Sequence, residues 1–256
     1  MDRMPTLFIG HGSPMNAIED NRFSDTWKKL GKQLPKPQAI LSVSAHWFTN
    51  GTLVTNDPAP KMIYDMYGFP DALYKVQYNA PGSPRFAARA RELIGEDVQF
   101  DTSWGLDHGS WSVLRRLFPQ ADIPVFQLSV DKNAAPEAHF AIGRMLRPLR
   151  EEGVLILGSG NIVHNLSKVN WQMDGGYPWA EAFDGYIRDA VVNRNTDAVL
   201  HYQQAGDAAS LSFRWLDHYA PMLYALGAAD ASDRITIWNE ACTMGSMSMT
   251  SYLFGM

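Results

Sequence analysis

The feature that most restricts what this chain can fold into is a set of short, near-continuously apolar runs, Thr6–Ile9, Ala39–Val43, Val125–Leu128 and Val154–Leu157. They are rich in Val, Ile, Leu and Phe and do not alternate with polar residues, so they read as strands covered on both faces. Ile235–Trp238 is a fifth candidate. Helical patterns lie between them. Arg85–Ile94 opens on Ser83-Pro84, a capping residue followed by one suited to a first turn. Ala135–Glu152 carries Pro136 near its start and Gly153 just past its end, and Trp179–Asn193 and Pro221–Leu226 are two more. Strands alternating with such helices predict one α/β domain over residues 1–256, with a mainly parallel central sheet flanked by helices. No repeat, low-complexity tract or long Gly/Ser linker divides it. The stretch Pro58–Pro84, rich in Pro, Gly and Tyr and without periodicity, reads as a wall or lid over a site.

Composition removes several classes. A content of 46% hydrophobic and 19% charged residues is too apolar for disorder and too charged for a membrane bundle. With 22 basic against 27 acidic residues the net charge is −5, so no general attraction to nucleic acid or anionic lipid is built in. No apolar run reaches the ~18 residues of a membrane span. The opening MDRMPTLFIGHGSP is apolar too briefly for a signal peptide, which makes the cytoplasm the expected location. Asn50-Gly51-Thr52 and Asn165-Leu166-Ser167 fit the glycosylation pattern, which carries little weight without export. The single cysteine, Cys242, excludes an internal disulfide and any multi-cysteine metal site, and with no activating neighbour it reads as packed. Seven histidines remain as nitrogen ligands.

In open α/β sheets, ligands bind beyond the carboxyl ends of the strands. His11, in Ile9-Gly10-His11-Gly12, His46, in Val43-Ser44-Ala45-His46-Trp47, and His164, after Gly158-Ser159-Gly160-Asn161, all follow predicted strands. The flanking glycines would let backbone approach a bound ion or ligand closely. One such histidine is most often a hydrogen-bonded loop residue. Three at equivalent ends of parallel strands point to one shared site. His108 sits in a Gly/Trp-rich turn, Trp104–Trp111, beside Asp107, and His218 follows Asp217 just before a proline-initiated helix. A neighbouring carboxylate can orient an imidazole, although adjacent side chains often point apart. His139, inside a predicted helix, and His201, in a polar stretch, read as packing or surface residues.

The chain has no P-loop, no G-x-S-x-G elbow and no H-E-x-x-H helix, and Gly158–Val163 puts Val163 where a dinucleotide fingerprint needs its third glycine. Several neutral imidazoles in an α/β crevice suit a divalent ion, Fe(II) or Zn(II). Neutral ligands leave the ion's charge largely uncompensated, favouring an anionic substrate and acidifying a bound hydroxyl or water. An iron site open to dioxygen and a zinc hydrolase both follow, and a binding protein without turnover is a third reading. Trp47, Tyr64, Tyr67, Phe69, Trp104 and Trp111 around these loops would suit a flat aromatic ligand; otherwise they are ordinary packing.

Gly10-His11-Gly12-Ser13-Pro14, Ser44-Ala45-His46-Trp47, Gly68-Phe69-Pro70, Ala80–Pro84, Trp104–Trp111, Ser159–Asn165 and His218-Tyr219-Ala220-Pro221 together resemble the LigB-type class III extradiol aromatic ring-opening dioxygenases, in particular the 4,5-DOPA extradiol branch. The resemblance implies a metal held by His11, His46 and His218. It makes His164 either a fourth ligand or the acid/base beside the metal, and gives His108 a catalytic or substrate-contacting place in the pocket. Trp111 and Tyr67 are the expected substrate-binding aromatics. The wider class uses two histidines and a carboxylate. This branch resembles a histidine-only version, so Fe(II) and Zn(II) both stay open. The implied reaction is opening of a DOPA-like catechol ring next to its diol with O2, with an imidazole assisting loss of the catechol proton. The alternative is a zinc-bound relative with hydrolytic or no ring-opening activity. Oligomeric state is not legible.

Overall fold

The computed structural model describes residues 3–256. Its strands, in chain order, are β1 (Thr6–Gly10), β2 (Ala39–Thr49), β3 (Leu53–Thr55), β4 (Gln99–Asp101), β5 (Val125–Asp131), β6 (Val154–Gly160), β7 (Ile235–Trp238), β8 (Cys242–Thr243), β9 (Met247–Ser248) and β10 (Ser251–Phe254). Eight of them form one sheet in the order β4-β3-β5-β2-β6-β1-β10-β7, while β8 and β9 pair as a small ribbon. The four central strands, β5-β2-β6-β1, are mutually parallel, with Ile40 beside Leu155 and Thr6 beside Ile156 in register. Both flanks include antiparallel pairings, β3 with β5 on one side and β10 with β1 and β7 on the other. The architecture is therefore the mainly parallel α/β sheet that the apolar runs predict.

Successive residues of a strand face opposite sides, and here both sides are covered. Leu7, Ile9, Ile40, Leu155 and Leu157 pack under helices Arg22–Gln33 and His108–Leu117. Leu41, Val43, Val154 and Ile156 face helices Pro84–Ile94, Pro136–Leu146 and Ala220–Ala228, and Phe8 faces helix Pro178–Val192. Among the described residues no helix is long and apolar enough to cross a membrane.

The structure corrects several boundaries. β2 continues to Thr49 through a register shift against β5 between Val43 and Phe48, so His46 lies inside the strand rather than after it. The predicted helix Ala135–Glu152 is two helices, Pro136–Leu146 and Pro148–Glu151, because Pro148 cannot continue the hydrogen-bond ladder. Trp104–Trp111 is not only a turn: a buried helix begins at His108, capped by Asp107, whose carboxylate accepts the Ser110 N–H at 3.0 Å. β3, β4 and the strands after Trp238 lack the long apolar runs by which the others are legible. β10 reads Ser-Tyr-Leu-Phe yet is wholly buried in the sheet.

Candidate metal centre

The carboxyl ends of β1, β2 and β6 lie side by side, and the histidines gather there. His11 follows β1 directly, and its backbone N–H donates to Gly160 O at the end of β6 (3.0 Å). Gly12 then turns the chain with φ +59, a left-handed conformation suited to glycine. His46 projects from late β2. His218 is brought in by the segment before helix Ala220–Ala228: its carbonyl accepts the Asn161 N–H at 2.8 Å. A Cβ on Gly160 would stand 2.1 Å from that carbonyl oxygen. The glycine at the end of β6 thus admits another stretch of the protein's own backbone, not a ligand as the sequence suggested.

Ring centroids are 5.1 Å apart for His11 and His46, 5.3 Å for His11 and His218, and 5.2 Å for His46 and His218. One ligating nitrogen from each falls within 4.8 Å of the others. His11 and His46 bring their Nε2 atoms to 3.3 Å. Two nitrogens each ~2.1 Å from one metal in tetrahedral directions stand ~3.4 Å apart, so this spacing fits a shared ion. His218 Nε2 is buried with no hydrogen-bond partner, a cost that coordination would remove. The donor set fits a divalent metal.

On the far side of each ring stands an oxygen. His11 Nδ1 is hydrogen-bonded with Ser159 Oγ (3.0 Å), His46 Nδ1 lies 3.2 Å from Asp65 Oδ2, and His218 Nδ1 lies 3.2 Å from Asp217 Oδ2. Such partners favour Nδ1 protonation and leave Nε2 as the lone-pair donor. The adjacent pair Asp217-His218 is close, but the carboxylate lies off the Nδ1 N–H line and makes no hydrogen bond to it, so its influence on the ring is electrostatic. The other adjacent pair points apart: Asp107 accepts hydrogen bonds from Ser44 and Gln127, and His108 meets Asp65 instead, its Nδ1 3.1 Å from Oδ1. Asp65 and Asp217 also correct the expectation of an uncompensated ion, since two carboxylates stand behind its neutral ligands.

Burial, then the neighbouring imidazoles, pushes His11 and His164 well below the ordinary histidine range. Burial lowers His218 and His108 as well, against the pull of Asp217 and Asp65. These four rings are neutral near pH 7. For His46 burial also acts downward, but Asp65, Asp107 and Asp217 overcome it and raise the ring. Burial would raise Asp65; His108 and His46 outweigh it and hold the carboxyl well below its usual range.

His164 lies flat against His218, with centroids 3.5 Å apart and planes 4° from parallel. Its nitrogens are not in the convergent group formed by His11, His46 and His218. Together with His108 it lines a cavity of about 650 Å³ that also exposes His11, His46 and His218. Met66, Tyr67 and Phe69 from the irregular segment form one wall; Leu166, Val169, Trp171 and Met247 form another. Tyr67 is 92% exposed and stands at the mouth. Trp111 does not line this cavity. It is fully buried, its indole N–H donates to Ile63 O at 2.9 Å, and it packs on Tyr64, so it supports the wall from behind. Trp47 and Trp104 stack on each other and likewise stay off the lining. His139 is buried against the Tyr224 hydroxyl (2.9 Å), and His201 is exposed between Glu137 and Asp197.

Sequence reasoning missed Asp65, Ser159, Leu166, Val169, Trp171 and Met247. Two of them lay in stretches the sequence did single out, Ser159 at the start of the Ser159–Asn165 motif and Asp65 in the Pro58–Pro84 segment, but nothing local marked either side chain as facing a histidine.

Residues 5–255 match the family described as the catalytic LigB subunit of aromatic ring-opening dioxygenase. The chain is 48% identical, over 99% of its length and 95% of the relative's, to an Escherichia coli K12 protein named 4,5-DOPA dioxygenase extradiol. It is 39% identical, over 97% and 96%, to one of the same name from Beta vulgaris. A solved structure of an uncharacterised Escherichia coli K12 protein superposes with a TM-score of 0.87 at 44% identity, covering 99% of this chain and all of that one. With the five-histidine crevice at the strand ends and this likeness over nearly its whole length, the chain belongs to the LigB family of extradiol ring-opening dioxygenases.

Proposed function

We propose that the protein opens the ring of a DOPA-like catechol with O2, using one Fe(II) held by His11, His46 and His218, with the chain acting as a single catalytic domain. The observation that carries this reading is the convergence of those three imidazoles at the floor of a cavity whose outer walls are apolar and aromatic. Iron bound there would supply the one-electron chemistry that lets dioxygen react with a closed-shell ring and would acidify a catechol hydroxyl.

The remaining work belongs to side chains. His164, kept neutral by burial, is the base that receives a hydroxyl proton and later returns it as the acid. Its flat stacking on His218 supports that role over a fourth ligand. His108 contacts the substrate's reacting edge from the opposite wall. Met66, Phe69, Val169 and Met247 exclude water, and Tyr67 and Trp171 flank the ring substituent at the mouth.

The test strips the protein of metal and reloads it anaerobically with Fe(II) or Zn(II) before DOPA or catechol is added in air. Oxygen uptake and a yellow ring-fission product with Fe(II) alone are expected. No uptake with any catechol, on protein shown to hold Fe(II), sinks the proposal.

A further inference from the structure

Asp65 occupies an unusual place. It belongs to the irregular segment between β3 and helix Pro84–Ile94, yet its carboxylate faces two histidines carried by different elements. Oδ2 lies 3.2 Å from His46 Nδ1 on β2, and Oδ1 lies 3.1 Å from His108 Nδ1 at the start of helix His108–Leu117. Oδ1 also accepts the His108 backbone N–H at 2.9 Å. The approach to His108 Nδ1 is off the ideal N–H line, so the influence there is electrostatic more than a full hydrogen bond. The two rings themselves are close, with centroids 3.8 Å apart. The next residues, Met66 and Tyr67, line the cavity.

From this geometry we infer that Asp65 is a positioning residue: one carboxylate sets the tautomer of both His46 and His108, placing both protons on Nδ1. Its physical basis is simple. An anionic oxygen near 3 Å from a ring nitrogen stabilises a proton there and strips it from the opposite nitrogen. For His46 that leaves Nε2 free to hold the metal. For His108 it makes Nε2 an acceptor toward the cavity, so this ring receives a hydrogen bond from a substrate hydroxyl and does not donate one. Because the same residue anchors the cavity wall, the wall and the metal ligand are held in one register. The inference rests on His46 being a metal ligand, as proposed above, but not on which reaction follows.

Asn in place of Asp65 keeps the shape and presents an N–H to one of the two rings, which must then accept and carry its proton on Nε2. Zn(II), used as a redox-silent probe, is titrated against a chromophoric chelator, and imidazole tautomers are read by 15N NMR of the Zn(II)-loaded protein. In the wild type, His108 should carry its proton on Nδ1. Asp65→Asn should weaken Zn(II) about 10–100-fold or shift the His108 proton to Nε2. Asp71→Asn, exposed on the same segment, should do neither. A wild-type His108 protonated on Nε2 overturns the inference even if Asp65→Asn does not fold. So does a folded Asp65→Asn with unchanged His108 tautomer and Zn(II) affinity within about twofold of wild type. Neither readout depends on ring opening, so this inference and the proposed activity can fail separately.

Discussion

His139 shows what burial does to an imidazole that has no metal to serve. Burial pushes its pKa down to about 4, so the folded protein holds it neutral while the unfolded chain protonates near 6.5. The unfolded state therefore binds more protons between those values, and stability falls as pH drops from about 6.5 through 4, by up to ~1.4 kcal/mol per pH unit. Denaturant unfolding of metal-free wild type and His139→Phe at several pH values checks it. The stability of the wild type relative to the variant should rise with pH across that window, and parallel curves would refute it. The site histidines make a contrasting prediction. His11→Ala, His46→Ala and His218→Ala should each abolish stoichiometric metal, measured by elemental analysis after dialysis, while His139→Phe keeps it. His164→Ala should retain metal and lose at least ~100-fold in turnover, the usual scale of a missing acid/base. Loss of metal from that variant would make His164 a ligand.

Elements meet at this site through backbone as much as through side chains. The end of β6 and the segment carrying His218 touch because positions 158 and 160 have no Cβ: one at Gly160 would stand 2.1 Å from His218 O, and one at Gly158 2.2 Å from Pro221 O. Gly160→Ala must push the two apart. The expected result is a fold that survives with ~1–3 kcal/mol less stability and binds Zn(II) at least tenfold more weakly, because His218 has moved. Chelator competition with a parallel melt measures both, and wild-type affinity in the variant would show that the contact does not position the ligand. Helix His108–Leu117 illustrates the same scale differently. Asp107 caps it and is itself fixed by Ser44 from β2 and Gln127 from β5, so His108 enters the cavity from a helix start tied to two strands.

At the scale of the molecule, segments far apart in the chain are joined at the amino ends of the parallel strands, where Met4 precedes β1 and Arg150 precedes β6. Arg150, fully buried, donates to Met4 O (2.6 Å), Ala228 O (2.9 Å) and Asp233 Oδ2 (2.6 Å), and Arg3 reaches Asp233 from the other side at 2.8 Å. Removing Arg150 leaves the buried Asp233 carboxylate with Arg3 as its remaining cation and strips Met4 O and Ala228 O of their donor. Arg150→Met should cost about 3–5 kcal/mol in equilibrium unfolding, and adding Asp233→Leu should restore part of that loss. A single variant within ~1 kcal/mol of wild type would show the pair to be dispensable. The metal centre lies at the opposite, carboxyl end of the parallel strands, so metal content per folded molecule should stay unchanged in both variants.

The apolar runs of β1, β2, β5 and β6 were readable because a strand buried on two faces has almost no polar residues, and a sheet of such strands puts their carboxyl ends together. That logic alone gathers His11, His46 and His164, and family likeness adds His108 and His218. β10 was hidden because four residues with a serine have no distinctive period, and its place between β1 and β7 depends on long-range pairing. Asp65 was hidden for a related reason. Its segment has no periodicity, and its partners are 19 residues before it and 43 after it, a juxtaposition no local pattern encodes. Trp111 and Tyr67 look alike as aromatics beside motifs, but packing puts one behind the wall and the other at the mouth. The sequence by itself determined the layered sheet, the neutral nitrogen ligands and the absence of thiolate chemistry, because burial and residue type are local properties. Only the tertiary structure decided which carboxylates stand behind the imidazoles, which ring stacks outside the metal set and which aromatics face the cavity. Those depend on distances of a few ångströms between segments far apart in the chain.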